Sequence, residues 1–235
     1  MKLAYFPGCK INFYLKEYDL SFKSIMEKLS VELIELPFNC CGYPARESDF
    51  EVSLFSSIRN LAIAGQYNLD IITPCKCCYG QLKYASLQWK DLGDKIENKD
   101  LKQKFNDLLA KENLFWDGNI ETKHLLSFLY NDIGISQIQK RIKKRLPEKR
   151  VVTQYGCHAL RPFTVTGFDN PHAPQIFEEL INITGYKSVE WSKSTECCGN
   201  PILERNRNLS LKILDSKLRA ARKAKADYIC TACTH

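Results

Sequence analysis

Two copies of one cysteine pattern constrain this 235-residue chain more than any other feature of its sequence. In each copy a single cysteine precedes a Cys-Cys-Gly triplet, and a CxxC pair follows. The first set is Cys9, Cys40, Cys41, Cys75 and Cys78, and the second set is Cys157, Cys197, Cys198, Cys230 and Cys233. Each set predicts a place where five thiols meet in the folded chain. Because a structural zinc ion takes four ligands, five thiolates favour a polynuclear iron–sulfur centre.

The compartment follows from the cysteine count and from the start of the chain. Eleven cysteines are an odd number, which a closed disulfide framework would not use. The start at residues 1–6 is too short for a signal peptide, and no apolar run approaches the roughly 20 residues that span a bilayer. We therefore expect a cytoplasmic protein without membrane insertion, in which patterned cysteines indicate metal or redox chemistry.

A basic stretch at residues 140–150 contributes to the net charge of +7. It contains no interleaved aromatic residues for base stacking, and no nucleic-acid-binding signature accompanies it, so nucleic acid is not an expected partner. Two interpretations stay open. The stretch is either a solvated segment between domains or a docking surface for an acidic partner.

The residues around the cysteines repeat as well, and each copy predicts the same order of strands and helices. Strands are predicted at residues 3–6, 31–36 and 70–74 in one lobe and at 151–153, 188–191 and 227–229 in the other. Helical apolar stripes lie at residues 22–29, 54–62, 176–181 and 211–221. This alternation predicts an α/β fold with two lobes related by a pseudo-twofold axis, each a small parallel sheet with crossover helices.

The cysteines occupy matching places in this topology. Each cysteine element follows a predicted strand, and the carboxyl ends of parallel strands gather at one edge of a sheet. The topology therefore brings the thiols of each set together. Gly42 and Gly199 allow a sharp turn against a metal, and Pro44 and Pro201 suit the first turn of a following helix.

A helical insertion is predicted between the lobes, at residues 79–148. We expect an N-terminal domain at residues 1–148, which includes this insertion, and a C-terminal domain at residues 149–235. For the cysteine sets themselves, three interpretations are open: iron–sulfur centres, zinc in one or both lobes, and metal-free thiol–disulfide exchange.

The chain resembles the catalytic B subunit of heterodisulfide reductase and its relatives, the cysteine-rich CCG domain proteins. The resemblance rests on both cysteine sets and on residues 155–162 and 167–171. It implies that each set binds a noncubane [4Fe-4S] cluster through all five thiolates, and that the two clusters face each other. It also implies an enzyme that reductively cleaves the coenzyme M–coenzyme B heterodisulfide, or a related disulfide, between the clusters. Because family members continue beyond the last CxxC pair, the second lobe is expected to extend past residue 235.

The same resemblance implies partners. Electrons would come from a ferredoxin-like HdrC-type subunit, which a flavoprotein HdrA-type subunit would feed, with residues 140–150 as a candidate contact. One alternative is an electron-transfer role in another complex, such as a succinate-dehydrogenase-type complex, without a disulfide substrate. The other is a zinc-binding scaffold without chemistry.

Four further residues are candidates for roles at the sites. His158 could donate a proton to a departing thiolate or instead hydrogen-bond a backbone carbonyl or cluster sulfide. Arg161 could bind an anionic substrate group or form a salt bridge between the lobes. Lys76 is expected to be solvated, although its charge could raise a cluster potential. Cys77 is expected to be a buried or spare thiol, with an alternative role as a ligand.

Overall fold

Two parallel β-sheets organise the chain, one in each of two compact units. The computed structural model describes residues 1–94 and 99–234. The units comprise residues 1–125 and 126–233. Within the described residues, no helix combines the length and the apolar character needed to cross a membrane.

The first unit contains a four-stranded sheet. Its strands are β1 (Lys2–Tyr5), β2 (Glu32–Glu35), β3 (Ile71–Thr73) and β4 (Thr122–His124). The order is β2-β1-β3-β4, and every neighbouring pair is parallel. The buried pattern of β3 is typical of a central strand covered on both faces.

Five helices surround this sheet: α1 (Gly8–Tyr14), α2 (Lys16–Lys28), α3 (Phe50–Gln66), α4 (Lys76–Asp94) and α5 (Lys99–Ala110). Helix α3 begins where the Asp49 side chain accepts a hydrogen bond from the Val52 amide at 3.0 Å. Such a cap satisfies one of the free amides at a helix start. Leu54, Ile58 and Leu61 form its fully buried face.

The second unit contains a three-stranded parallel sheet of order β6-β5-β7. Its strands are β5 (Arg150–Gln154), β6 (Lys187–Ser188) and β7 (Tyr228–Thr231). Its later helices are α8 (Cys157–Leu160), α9 (Phe163–Thr166), α10 (Ile176–Asn182) and α11 (Arg207–Lys223). The predicted α/β class, with a small parallel sheet in each copy of the repeat, is confirmed.

The segment between the sheets is mostly helical. After α4 and α5 it forms α6 (Leu125–Ser127), a π-helical turn (Phe128–Ile133) and α7 (Ile135–Arg141). The prediction of helix throughout residues 79–148 is wrong at β4, which adds to the edge of β3 in the register Ile71↔Thr122. A three-residue strand has too few positions to show a period in the sequence. Residues 95–98 of this segment lie outside the described part of the chain.

Helices α3 and α11 occupy the same place in the two units but differ in burial. Leu54 of α3 is 1% exposed and Leu61 is 0% exposed. Leu211 and Leu218 of α11 are 46% and 49% exposed. In the first unit α4 packs against α3. The pseudo-twofold relation and a domain boundary at residue 148 stay predictions.

Candidate functional site

The first cysteine set follows three neighbouring strands. Cys9 lies in the first turn of α1, directly after β1. Cys40 and Cys41 follow β2, and Cys75 follows β3. Cys78 lies in the first turn of α4. The sheet therefore places all three cysteine elements at the carboxyl ends of adjacent parallel strands.

The thiols of this set contact one another. The Cys78 thiol hydrogen-bonds with the sulfurs of Cys41 and Cys75. Cys40 hydrogen-bonds with Cys41. Cys9 is near enough to Cys40 for its charge to raise the Cys40 pKa. All five predicted residues of the first set are thus brought together.

These contacts divide the thiols into donors and acceptors. Hydrogen bonds from Cys40 and Cys78 hold the pKa of Cys41 well below its usual range. Hydrogen bonds with Cys77 and Cys78 lower the pKa of Cys75. Hydrogen bonds with Cys41 and Cys75, together with burial, raise the pKa of Cys78. The set thus contains sulfurs stabilised as thiolates, the form that binds metal.

Backbone lies directly against these sulfurs at Gly8. A Cβ atom at Gly8 would lie 2.8 Å from Sγ of Cys78 and 3.7 Å from Cβ of Cys75. Gly8 also has a φ of +74°, and Gly156 takes the matching place before Cys157 with a φ of +75°. Any side chain at Gly8 would therefore enter the space that the thiols share. This close approach and the all-thiol donor set fit a cluster held between the chain and the sulfurs.

The glycine of each triplet has a role that differs from the expected turn against a metal. A Cβ atom at Gly42 would lie 2.3 Å from the backbone oxygen of Ser53 in α3. The same atom at Gly199 would lie 2.9 Å from the backbone oxygen of Ser210 in α11. Both glycines have φ near +87° in the left-handed region. They let the triplet pack against the next helix, so their missing side chain faces that helix.

The prolines behave as expected. Pro44 and Pro201 lie in the first turns of short 3-10 helices, Tyr43–Ala45 and Asn200–Ile202. Their fixed φ suits a helix start, where the missing amide costs nothing.

Two buried polar residues of α3 fix the backbone of the Cys-Cys pair. The Asn60 side-chain amide donates to the backbone oxygens of Cys40 at 3.1 Å and Asn39 at 3.4 Å. Its oxygen accepts from the Asn39 amide at 2.9 Å. The Ser57 hydroxyl donates to the backbone oxygen of Cys41 at 2.5 Å. The helix after the triplet therefore positions both cysteines.

The second set is built in the same way. Cys157 begins α8 directly after β5, and Cys197 and Cys198 precede the second 3-10 turn. Burial raises the pKa of Cys157, and the charges of Cys197, Cys198 and Cys233 raise it further. Four of the five predicted thiols thus lie close enough to interact.

The fifth predicted thiol, Cys230, lies inside strand β7. Cys230 pairs with Thr153 of β5, whereas Ile72 pairs with Tyr5 of β1. Tyr5 and Thr153 each stand four residues before the first cysteine of their set. The structural counterpart of Cys230 is therefore Ile72, and aligning Cys230 with Cys75 is wrong. The repeat misled because a third cysteine, Cys230, happens to stand three residues before Cys233.

A hydrogen bond supports the corrected register. The Cys75 amide donates to the Thr73 hydroxyl at 3.2 Å, and the Cys233 amide donates to the Thr231 hydroxyl at the same distance. Cys233 is thus the counterpart of Cys75. In this register the counterpart of Cys78 falls at position 236, one residue past His235. The ligand role of Cys230 stays a prediction.

The remaining candidates differ in burial. His158 is half-buried in α8, and Arg161 is exposed directly after that helix. Cys77 is buried and hydrogen-bonds with Cys75. The expectation of a solvated Lys76 is wrong, because Lys76 is 0% exposed. Its position as the first residue of α4, between β3 and the buried start of that helix, explains the difference.

All eleven cysteines are free thiols. Across residues 1–94 and 99–234, no three His, Cys, Asp or Glu side chains are arranged to hold a single metal ion. Soft thiolate ligands of this kind suit iron–sulfur clusters and zinc.

Several residues that shape the site were missed by reasoning from the cysteines. The Tyr155 hydroxyl donates to Glu178 and accepts from the Phe177 amide at 2.8 Å. The Asp169 carboxylate accepts from the Ile176 amide at 2.9 Å. Both residues lie in the motifs at 155–162 and 167–171, and both fix the start of α10. Lys217 and Asn60 were missed too, although a polar residue on an otherwise apolar helix face is a visible signal.

The cysteine pattern matches a known protein family. The profile of the cysteine-rich domain family, CCG, matches residues 3–83 and 151–235. Each match contains one cysteine set.

Individual relatives cover nearly the whole chain. The B subunit of the ferredoxin/F(420)H(2)-dependent CoB-CoM heterodisulfide reductase of Methanosarcina acetivorans is 29% identical, over 99% of this chain and 77% of its own length. The 8-methylmenaquinol:fumarate reductase membrane anchor subunit of Wolinella succinogenes is also 29% identical, over 99% and 79%. A protein of Archaeoglobus profundus, named as similar to the B subunit of heterodisulfide reductase, is 28% identical, over 100% and 79%.

A solved structure shares the fold. The crystal structure of a hypothetical protein from Helicobacter pylori superposes with a TM-score of 0.71 at 17% identity. The match covers 99% of this chain and 41% of that one. At this identity the likeness concerns the fold alone.

Proposed function

We infer that this chain, which belongs to the cysteine-rich CCG domain family, is an iron–sulfur oxidoreductase subunit that reductively cleaves a disulfide. The observation that carries the proposal is the first cysteine set, whose thiols contact one another at one sheet edge. A second set of similar build supports it, because cleaving a disulfide to two thiols takes two electrons and two protons. Two one-electron centres can supply the electrons as a pair.

The cysteines would hold the cofactors. Cys9, Cys40, Cys41, Cys75 and Cys78 would bind one noncubane [4Fe-4S] cluster. Cys157, Cys197, Cys198 and Cys233, with Cys230 as the fifth candidate, would bind the other. Each cluster, when bound, supplies one-electron chemistry. The chain contributes the thiolates, the backbone that Gly8 brings against them, and the hydrogen bonds from Asn60 and Ser57 that fix the ligand loop.

Two residues after β5 are proposed to handle the substrate. His158, next to Cys157, would donate a proton to a departing thiolate, for which a group titrating near neutrality is suited. The exposed Arg161 would bind an anionic group of the disulfide. The coenzyme M–coenzyme B heterodisulfide, or a related disulfide, is the proposed substrate, since the B subunit of a heterodisulfide reductase is similar to this chain over 99% of it.

The proposed setting is a cytoplasmic multi-subunit complex. A ferredoxin-like HdrC-type subunit and a flavoprotein HdrA-type subunit would deliver electrons. The segment at residues 140–150, where most residues are exposed, is the proposed contact for an acidic partner.

A second candidate is electron transfer in another complex, without a disulfide substrate. The observation that favours it is the similarity to the fumarate reductase subunit of Wolinella succinogenes, which equals that to the Methanosarcina acetivorans protein in identity.

The test is metal analysis of anaerobically purified protein, followed by turnover. We expect about eight irons per chain with matching sulfide, as two four-iron clusters require. We also expect consumption of the coenzyme M–coenzyme B heterodisulfide with reduced methyl viologen as donor. Clusters without turnover of this disulfide or related ones would favour the electron-transfer candidate. Zinc alone would contradict both and leave a scaffold role.

The corrected register makes a separate prediction for the second set. Replacing Cys233 with alanine should remove about half of the bound iron, because Cys233 is the counterpart of Cys75. Replacing Cys230 with alanine should leave most of the iron, because Cys230 occupies the strand position of Ile72. Iron and sulfide analysis of both variants checks this. Equal losses would restore Cys230 as a full ligand.

A further inference from the structure

Two lysines are the only Asp, Glu, Lys or Arg side chains that are buried where burial is described, at residues 1–91 and 99–234. They are Lys76, 0% exposed, and Lys217, 4% exposed. One lies in each unit. A buried ammonium group is costly unless negative charge or hydrogen bonds compensate it. Their positions therefore point to compensating groups near each cysteine set.

Neutral groups hold the Lys217 side chain in place. Its ammonium group donates to the backbone oxygen of Lys193 at 2.5 Å. The same group lies 5.2 Å from the centroid of the Trp191 ring, which packs against β5. Both contacts are attractive, but neither supplies a full negative charge.

The negative charges that act on Lys217 include thiols of the second set. Burial lowers the Lys217 pKa, whereas the charges of Glu196, Cys198 and Cys197 raise it. Glu196 forms a direct ion pair with Lys193 at 2.7 Å. The sulfurs of Cys197 and Cys198 thus belong to the environment that supports a charged Lys217.

The matching position in the first unit holds a neutral residue. Helices α3 and α11 begin at equivalent caps, Asp49 and Asn206. Counting from these caps, the residue that matches Lys217 is Asn60. Asn60 is also buried and also hydrogen-bonds backbone oxygens of the loop that leads to its Cys-Cys pair. The two residues share a position and a mechanical role but differ by one charge.

We propose that Lys217 is the resident counter-charge of the second cysteine set and raises the reduction potential of the cluster bound there. This inference rests on the proposed function only in requiring a cluster at that set, not in requiring a disulfide substrate. A reduced cluster carries one more negative charge than an oxidised one, so a nearby buried cation stabilises the reduced form. Lys217 acts through the cluster and is a positioning residue.

The test is an EPR-monitored redox titration of the iron-loaded protein at constant pH. Lys217→Gln removes the charge but keeps a donor for the Lys193 oxygen. We expect the ratio of reduced to oxidised cluster at fixed potential to fall about tenfold for one cluster, equal to about 59 mV for a one-electron couple. The other cluster should shift less than about twofold. Lys217→Arg should restore the wild-type ratio.

A matched control lies on the same helix. Arg219→Gln also removes one positive charge, but the Arg219 side chain is 78% exposed and pairs with Asp215. Solvent screens exposed charges, so neither cluster should shift. Iron content and the thermal unfolding midpoint of each variant separate a loss of charge from a loss of structure.

Each outcome decides the inference. An unshifted titration in Lys217→Gln with full iron content would overturn it, and so would equal shifts in both clusters. Absence of a cluster from the second set of the wild-type protein would overturn it as well, together with the proposed cofactors. A shift without disulfide turnover would support it while the proposed substrate fails.

Discussion

Replacing Cys41 with alanine is expected to remove about half of the bound iron and sulfide and to lower disulfide turnover by at least about 100-fold. Cys41 is buried and accepts hydrogen bonds from both Cys40 and Cys78, so it lies at the centre of the first thiol set. Turnover should fall further than iron content, because two-electron cleavage would use both sets. Iron analysis and a viologen-coupled assay on one preparation measure both effects.

Cys77→Ala is the matched control. Cys77 is as buried as Cys41 and also contacts the set through Cys75, but it stands outside the repeated pattern. We expect this variant to keep about eight irons per chain. If Cys77→Ala lost iron like Cys41→Ala, Cys77 would be a ligand. If Cys41→Ala kept full iron content and full turnover, the proposed cluster at the first set would be wrong.

Replacing Gly42 with alanine is expected to destabilise the metal-free chain by more than about 3 kcal/mol. The new methyl group would lie 2.3 Å from the backbone oxygen of Ser53, closer than real Cβ contacts allow. Helix α3 or the triplet must therefore shift. Denaturant unfolding under reducing conditions measures the change in free energy without any contribution from bound cofactor.

Gly167→Ala separates the clash from backbone strain. Gly167 also has a left-handed φ, +53°, but no heavy atom lies within 4 Å of a Cβ placed there. This variant should cost only the strain of that conformation, about 1–2 kcal/mol. Equal losses in Gly42→Ala and Gly167→Ala would show that the close approach of the triplet to α3 does not matter for stability.

The alternation of strands and helices could be predicted because its signals are local. Apolar stripes at helical spacing mark α3 and α10, and short apolar runs before cysteines mark β1 and β5. The meeting of the first five thiols followed from topology, since strand ends of a parallel sheet share one edge. The spacing of the motif was therefore enough to find the first site.

Other features depend on pairings that spacing does not show. Strand β4 exists because β3 offers an edge for it, and Cys230 lies in a strand because its register follows that of Thr153. The burial of Lys76 and Lys217 depends on tertiary packing around their side chains. Sequence periodicity describes one element at a time, so features that need two elements were missed.

The placement of the two thiol sets along the chain has a consequence for biogenesis. All five cysteines of the first set lie between residues 9 and 78, and the second set begins only at Cys157. Chains are synthesised from the N-terminus, and domains generally fold as units in that order. The ribosome thus finishes the first set on a nascent chain that still lacks every cysteine of the second. Cellular assembly factors would therefore meet the two sites one after the other.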